Sequence, residues 1–220
     1  MLTDIHSHHF NAPPDGIRIS NILNVDRLEE HLAGNGLFSV GIHPWHIHPD
    51  HWEEDIAVIK SHVFNPKILA LGEAGLDRLI DLPLNFQKDV FMSMVELSEE
   101  AKKPLIIHCV RSFSELASLH RAVNPTQKWI LHGFNMRKEI AIGLLDQGFY
   151  FSFGSAILYH KSSASIALAM MPSDRFFLES DESHEPLDSI FAAAAKIRGV
   201  DQTVLSDDLF NSFKELFNYG

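Results

Sequence analysis

Short, unbroken apolar runs recur along this chain with amphipathic stretches between them, and this alternation limits the possible folds more than any other feature. Lys67-Ile68-Leu69-Ala70-Leu71 and Pro104-Leu105-Ile106-Ile107 are two such runs. A strand with one wet face alternates apolar and polar residues, whereas a strand buried on both faces reads as continuously apolar. The runs therefore suit a parallel sheet covered by helices. Candidate strands fall at about residues 2–6, 17–22, 37–41, 67–71, 104–108, 128–132, 149–153 and 175–180. The clearest helical periodicity covers about 84–102, where Phe86, Val90, Phe91, Met94, Val95 and Leu97 keep near-helical spacing. Further helical patterns lie near 26–33, 50–63, 112–122, 136–147, 161–170, 186–198 and 206–218. Ser112 and Asn135 stand where N-caps are expected, and Gly148 where a helix would close before the seventh strand.

Eight strands with intervening helices predict a TIM-type (β/α)8 barrel, read as one domain over residues 1–220. The chain is shorter than the roughly 250 residues typical of that fold. The shortage falls between the first two strands, where Asn11-Ala12-Pro13-Pro14-Asp15-Gly16 leaves room only for a loop. The expected barrel lacks the helix after its first strand and is incomplete on that side.

In this fold the functional site forms at the C-terminal ends of the strands. The first strand ends in His6 and His8, two residues apart and so on one side of the strand. The third runs into Gly41-Ile42-His43-Pro44 and the fourth into Gly72-Glu73-Ala74-Gly75-Leu76-Asp77. The fifth ends at His108, the sixth at His132 and the eighth at Asp181. Six strands thus bring His, Glu or Asp to one rim. Imidazoles hold borderline divalent metals, and a carboxylate can bridge two of them. Glu73 is the natural bridge, since the glycines at 72 and 75 let the backbone turn tightly around it. Between two such ions, water becomes a nucleophile at neutral pH.

These blocks resemble the TatD-related metal-dependent deoxyribonucleases, within the wider amidohydrolase-type barrels. The resemblance rests on Asp4-Ile5-His6-Ser7-His8, Gly41-Ile42-His43-Pro44, Gly72-Glu73-Ala74-Gly75-Leu76-Asp77 and Pro104-Leu105-Ile106-Ile107-His108-Cys109. It continues through Ile130-Leu131-His132-Gly133-Phe134, Gly148-Phe149-Tyr150-Phe151-Ser152-Phe153-Gly154 and Leu178-Glu179-Ser180-Asp181, in family order along nearly the whole chain. It implies one metal among His6, His8, Glu73 and Asp181, and a second among Glu73, His108 and His132. It gives Asp181 the role of orienting the attacking water or taking its proton, with Glu73 and Asp181 as the catalytic carboxylates. His43 is implied on the substrate side or behind a ligand rather than as a ligand itself, the alternative being a loop histidine ordered by Pro44. The chain departs from the family pattern at His108-Cys109-Val110-Arg111, where the usual His-x-Arg unit is one residue longer, and in its shortened first βα unit.

The implied activity is phosphodiester hydrolysis, with DNA as the expected substrate and two divalent ions per chain (zinc, manganese, nickel, iron or magnesium). A small-molecule hydrolase acting on a phosphate monoester, lactone or amide is the alternative. A non-catalytic, metal-retaining binding protein is a lesser one. The net charge of −11 argues against a broad basic nucleic-acid-binding face, although bound cations reverse the local field at an acidic site. Arg111 is either a phosphate clamp or part of a solvated helical turn. Asp77 and Glu179 are either carboxylates that orient histidines or members of structural ion pairs. Trp45, Trp52 and Trp129 are candidates for base stacking or for ordinary packing. Of 14 histidines, His43, His46, His48 and His51 crowd one loop, as a metal scavenger or a solvated surface. Cys109 is the only cysteine and reads as a buried, inert thiol. Its solitude fits a reducing compartment. Met1-Leu2-Thr3-Asp4 carries no basic region or signal-peptide core, and no apolar run approaches the roughly 18 to 20 residues of a membrane helix. A cytoplasmic protein with no membrane association and no obligate protein partner is expected.

Overall fold

The computed structural model describes residues 1–13 and 16–220. Its eight strands are β1 (Leu2–Ser7), β2 (Gly16–Ile22), β3 (Leu37–Val40), β4 (Ile68–Asp77), β5 (Leu105–Val110), β6 (Trp129–Leu131), β7 (Tyr150–Phe153) and β8 (Phe176–Leu178). They lie in sequence order in one sheet, every neighbouring pair parallel. Around them run α1 (Leu28–Ala33), α2 (Trp52–His62), α3 (Leu84–Ala101), α4 (Phe113–Val123), α5 (Lys138–Leu145), α6 (Ser163–Met170), α7 (Leu187–Arg198) and α8 (Gln202–Leu216). This is the TIM-type barrel expected from the sequence.

No helix is present among the described residues between β1 and β2. Pro14 and Asp15 of the loop expected there lie outside the described residues. The sheet itself is continuous at this point, with Thr3 opposite Ile17 and Ser7 opposite Ser20. The expectation of a barrel incomplete on that side therefore holds for the helix layer only. The thinnest part of the strand ladder is the seam between β8 and β1. It closes through a single bridge between Ser7 and Asp181, with Asp181 N–H donating to the His6 carbonyl (3.0 Å) and His8 N–H to the Asp181 carbonyl (3.1 Å).

Neighbours in register point to the same side of a parallel sheet. Ile106 pairs with Ile130, Gly75 with His108, and Ser152 with Phe177, so these positions share the barrel interior. Their alternates, including Leu105, Ile107, Leu131, Phe151 and Leu178, face the helices in the main buried cluster. The interior cluster joins Ile5, Ile19, Ala70, Ile106, Ile130 and Phe177 to Phe213 and Phe217 at the end of the chain. Ile17, Leu37 and Tyr150, all early in their strands, pack against it with Leu216 and Tyr219. The end of α8 thus seals the N-terminal mouth and leaves the opposite mouth for polar residues.

Two register irregularities shape that opposite mouth. From Asp4 to Ser7 β1 advances three residues while β2 advances two, from Arg18 to Ser20. Ile5 can then join the interior cluster while its neighbour His6 also turns inward. From Leu71 to Ala74 β4 likewise gains one residue on β5. Gly72 and Glu73 together face Ile106, and a Cβ on Gly72 (φ 110°) would lie 2.2 Å from the Ile106 carbonyl oxygen. Glycine is required there because the bulged backbone runs against its neighbour.

Several local expectations change. Asn135 does not cap its own helix; α5 begins after Arg137, and the Asn135 side chain accepts from Ala164 N–H in the first turn of α6 (3.0 Å). Ser112 precedes α4 but donates to the Val110 carbonyl (3.2 Å) instead of capping. Gly148 (φ 94°) lies two residues beyond the Asp146 C-cap of α5, one later than the C′ place. The last helix starts at Gln202 rather than near 206, because the Asp201 side chain accepts from Thr203 N–H (2.8 Å). Phe213 is fully buried in the plug below the barrel. Truncation to alanine is expected to cost about 3–5 kcal/mol of stability, read as a lowered urea midpoint at unchanged slope.

Candidate metal centre

Glu73 is the centre of the open mouth. Its carboxylate is almost wholly buried, and its two oxygens face different sets of imidazoles. Oε1 lies 2.7 Å from His132 Nε2, 2.9 Å from His108 Nδ1 and 3.2 Å from His43 Nε2. Oε2 lies 3.4 Å from His6 Nε2 and 3.6 Å from His8 Nε2. Asp181 Oδ1 faces the second set, 3.4 Å from His8 Nε2 and 3.7 Å from His6 Nε2. Sequence-distant strand ends thus place every expected ligand type around one point. His6–His8–Asp181, His6–Glu73–His132 and His43–Glu73–His108 each bring their ligand atoms within metal-binding reach of one another.

The donor set fits divalent ions better than it fits a closed hydrogen-bond network. His6 is completely buried, yet neither of its ring nitrogens has a hydrogen-bond partner. An unpaired buried nitrogen is costly unless something else engages it. Without ions, charge is shared among the carboxylates and rings. Burial opposes a charge on Glu73, but the charge of His132 and hydrogen bonds from His108, His132 and His43 hold its carboxyl well below the usual range. Burial likewise opposes protonation of His8, but the nearby carboxylates of Asp181 and Glu73 hold its ring up at about 9. Burial opposes protonation of His132 too, and the charge of Glu73, with the Glu179 carboxylate facing Nδ1, holds it well above the ordinary value. Ions entering this cluster would displace those protons.

A surrounding layer fixes the rings. Asp77 Oδ2 lies 3.3 Å from His108 Nε2, turning Nδ1 toward Glu73. Asp77 is held in turn by Trp45 Nε1 (2.7 Å) and Leu79 N–H (2.8 Å). Its main chain is clamped by Gln87, which accepts from Asp77 N–H (2.8 Å) and donates to the Asp77 carbonyl (2.9 Å). Glu179 is fully buried, accepts from Gly133 N–H (2.6 Å) and the Ser152 hydroxyl, and faces His132 Nδ1 at 3.6 Å. Both carboxylates stand where they can orient a histidine. Behind Asp181, the buried Asp4 accepts from Ser180 N–H (2.9 Å), the Ser180 hydroxyl (2.7 Å) and Arg18 Nε (2.8 Å).

Asn21 is a member of the site that sequence reasoning did not single out. Its Oδ1 accepts from Glu73 N–H (3.0 Å) and Ser39 Oγ (3.1 Å), and its Nδ2 approaches Glu73 Oε2 at 3.4 Å. The available signal was a lone amide near the end of the alternating strand segment Ile17-Arg18-Ile19-Ser20-Asn21-Ile22.

His43 is buried, and its Nδ1 accepts from Trp45 N–H (3.1 Å). It stands with the metal-ligand types rather than at the outer edge of the cleft. That cleft, about 270 Å³, is lined by His8, Leu23, His43, Trp45, His46, Glu73, His108, His132, Asp181 and Glu182. Arg111 is not brought to it. The Arg111 backbone turns left-handed (φ 52°) as the chain leaves β5 for α4, and its side chain is exposed. His48 and His51 stack on the surface, 4.7 Å between ring centres, in a separate cleft that also includes His46. Trp129 packs in the core and Trp52 edge-on to Phe86. A cleft of about 670 Å³ lies on the outer side of β1 and β2, against Arg18, Ser180 and the segment leading into α7.

A family model described as TatD related DNase matches residues 14–218. A metal-dependent hydrolase of Buchnera aphidicola subsp. Baizongia pistaciae is 32% identical over 170 residues, covering 75% of this chain and 63% of that relative. The metal-dependent hydrolase YabD of Bacillus subtilis is 30% identical over 135 residues, 60% of this chain and 53% of YabD. The chain therefore spans somewhat over half the length of these curated relatives. In structure it superposes on YJJV, a TatD homologue of Escherichia coli K12, with a TM-score of 0.86 at 21% identity, covering 99% of this chain and 98% of the other. At that identity the likeness speaks to the fold alone.

Two outcomes follow from this geometry. Asn21→Ala strips the partner from a buried N–H beside Glu73. It is expected to weaken divalent-ion affinity about 10- to 100-fold in a competition titration. Burial pushes the Cys109 thiol up to about 12. The native protein is therefore expected to resist Ellman's reagent at mildly alkaline pH and to react at once in denaturant.

Proposed function

The chain belongs to the TatD related DNase family, and on that premise we propose that it hydrolyses phosphodiester bonds, with DNA as substrate, through two divalent ions. The observation that carries this reading is the division of imidazoles between the two oxygens of Glu73. One carboxylate serving two nitrogen sets is the arrangement expected of a bridging ligand. In the proposed assignment His6, His8, Asp181 and Glu73 would hold one ion. His108 and His132, with Glu73 shared, would hold the other. The nitrogen-rich set suits zinc, manganese, nickel or iron better than magnesium.

Bound divalent ions supply Lewis acidity toward the phosphate oxygens and make water a nucleophile at neutral pH. The remaining work falls to side chains. The Asp181 side chain is 38% exposed and opens to the cleft, unlike Glu73. In this reading it would orient the attacking water and take its proton. His43, fixed through Nδ1, turns Nε2 toward Glu73 Oε1 (3.2 Å) and would serve on the substrate side of that oxygen. Arg111 has no part in this assignment. No helix of the described residues is long and apolar enough to cross a membrane. The lone free cysteine supports assignment to a reducing compartment such as the cytoplasm.

A small-molecule hydrolase is the second reading, favoured by the cleft of about 270 Å³ and the net charge of −11. Both readings keep the site and differ in the bond cleaved. The deciding experiment incubates the protein with zinc, manganese or magnesium and a panel of single-stranded DNA, bis(p-nitrophenyl) phosphate, a phosphate monoester, a lactone and an amide. Diester cleavage should dominate, and Glu73→Ala and Asp181→Ala should each lower it at least about 100-fold. Metal analysis should find two ions per chain in the parent and fewer in Glu73→Ala. Cleavage confined to the other bonds would transfer the assignment to the second reading. No turnover of any diester would overturn the first.

A further inference from the structure

Trp45 is the one large aromatic side chain lining the cleft, and it is 63% exposed. A tryptophan left in water is normally a mobile side chain on a surface. This one is fixed at two points. Its main-chain N–H donates to His43 Nδ1 (3.1 Å), and its indole N–H donates to Asp77 Oδ2 (2.7 Å). Asp77 is itself buried and immobilised by Leu79 N–H and Gln87. The indole stands edge-on to His43, with ring centres 5.1 Å apart, and at 71° to His108, 6.0 Å away. Its polar edge is thus turned to the protein while most of its ring surface remains open beside the Glu73 cluster.

A flat, rigid, solvent-facing indole next to a phosphate-cleaving centre is suited to a planar aromatic group carried by the substrate. Holding the ring in advance removes the rotamer entropy that stacking would otherwise cost. We propose that Trp45 is a stacking platform for a nucleobase flanking the scissile phosphate, and that it makes the site selective for nucleotides over base-free diesters. This rests on the phosphodiester reading above and adds to it the part of the substrate that is recognised. Trp45 acts here on substrate binding. Asp77 is a positioning residue that holds the indole and His108 through the same oxygen.

The test compares a short oligothymidylate with an oligomer of the same length built from abasic residues. Two readouts are taken on the intact chain: quenching of tryptophan fluorescence on titration, and the ratio of kcat/KM values for the two oligomers with manganese present. Trp129 is buried and Trp52 packs on Phe86, so a quench lost in Trp45→Leu is assigned to Trp45. The expected result is quenching by the base-containing oligomer only. The expected kcat/KM preference for it is about 10-fold or more, falling toward unity in Trp45→Leu. Trp45→Phe keeps a flat ring without the indole N–H and should retain most of the preference. If the residue merely supported Asp77, Phe and Leu would be equally damaging. Equal quenching by both oligomers, no quenching by either, or a preference unchanged in Trp45→Leu would overturn the proposal. Quenching without cleavage would leave the platform standing and remove the hydrolase reading. Cleavage of both oligomers at equal rates would do the reverse.

Discussion

A carboxylate buried as deeply as Glu73 stays ionised only if its surroundings replace the water it has lost. Here the replacement comes from nitrogens on four other strand ends and from the side-chain amide of Asn21. That requirement reaches far into the fold. It sets where β4 must bulge, which residue must be glycine at the bulge, and how many strands must end in histidine. The barrel supplies a ring of strand ends close enough for all of them to converge. An interior plugged with phenylalanine at one end leaves polar residues nowhere else to gather.

Convergence alone would leave the rings free to turn. Histidine offers two different nitrogens, and which one faces inward depends on what holds the other. Asp77 settles this for His108, Glu179 faces the outer nitrogen of His132, and a main-chain N–H settles it for His43. Each holder is itself held, Asp77 by Gln87 and Trp45, Glu179 by Gly133 and Ser152. His6 is the exception, buried with both nitrogens unengaged. It is the ring whose partner would have to be an ion.

Much of this was legible in the sequence. The apolar runs pointed to a parallel sheet, and six strand ends carried metal-binding side chains to one rim. What escaped was non-local or non-periodic. The bulges at Ile5–His6 and Gly72–Glu73 break the two-residue repeat on which strand reading depends, so only pairing with the neighbouring strand reveals them. Asn21 looked like an ordinary polar break in a strand, because its partner lies 52 residues away. Asn135 has a good capping side chain but uses it on another helix. Arg111 sits at a suggestive spacing from His108, yet one left-handed backbone residue sends it outward. Spacing along the chain cannot anticipate such a turn.

That no helix follows β1 among the described residues has a consequence for how this centre can change. Without one, the outer side of β1 and β2 is an open cleft rather than a packed interface. The Arg18–Asp4–Ser180 hydrogen-bond chain runs from that cleft to the residue preceding Asp181. The wall carrying Asp181 is therefore secured by a polar latch reachable from outside. Substitutions on this outer face offer a route for drift or engineering to retune the centre by fractions of an ångström. None of the residues that define its chemistry need be altered.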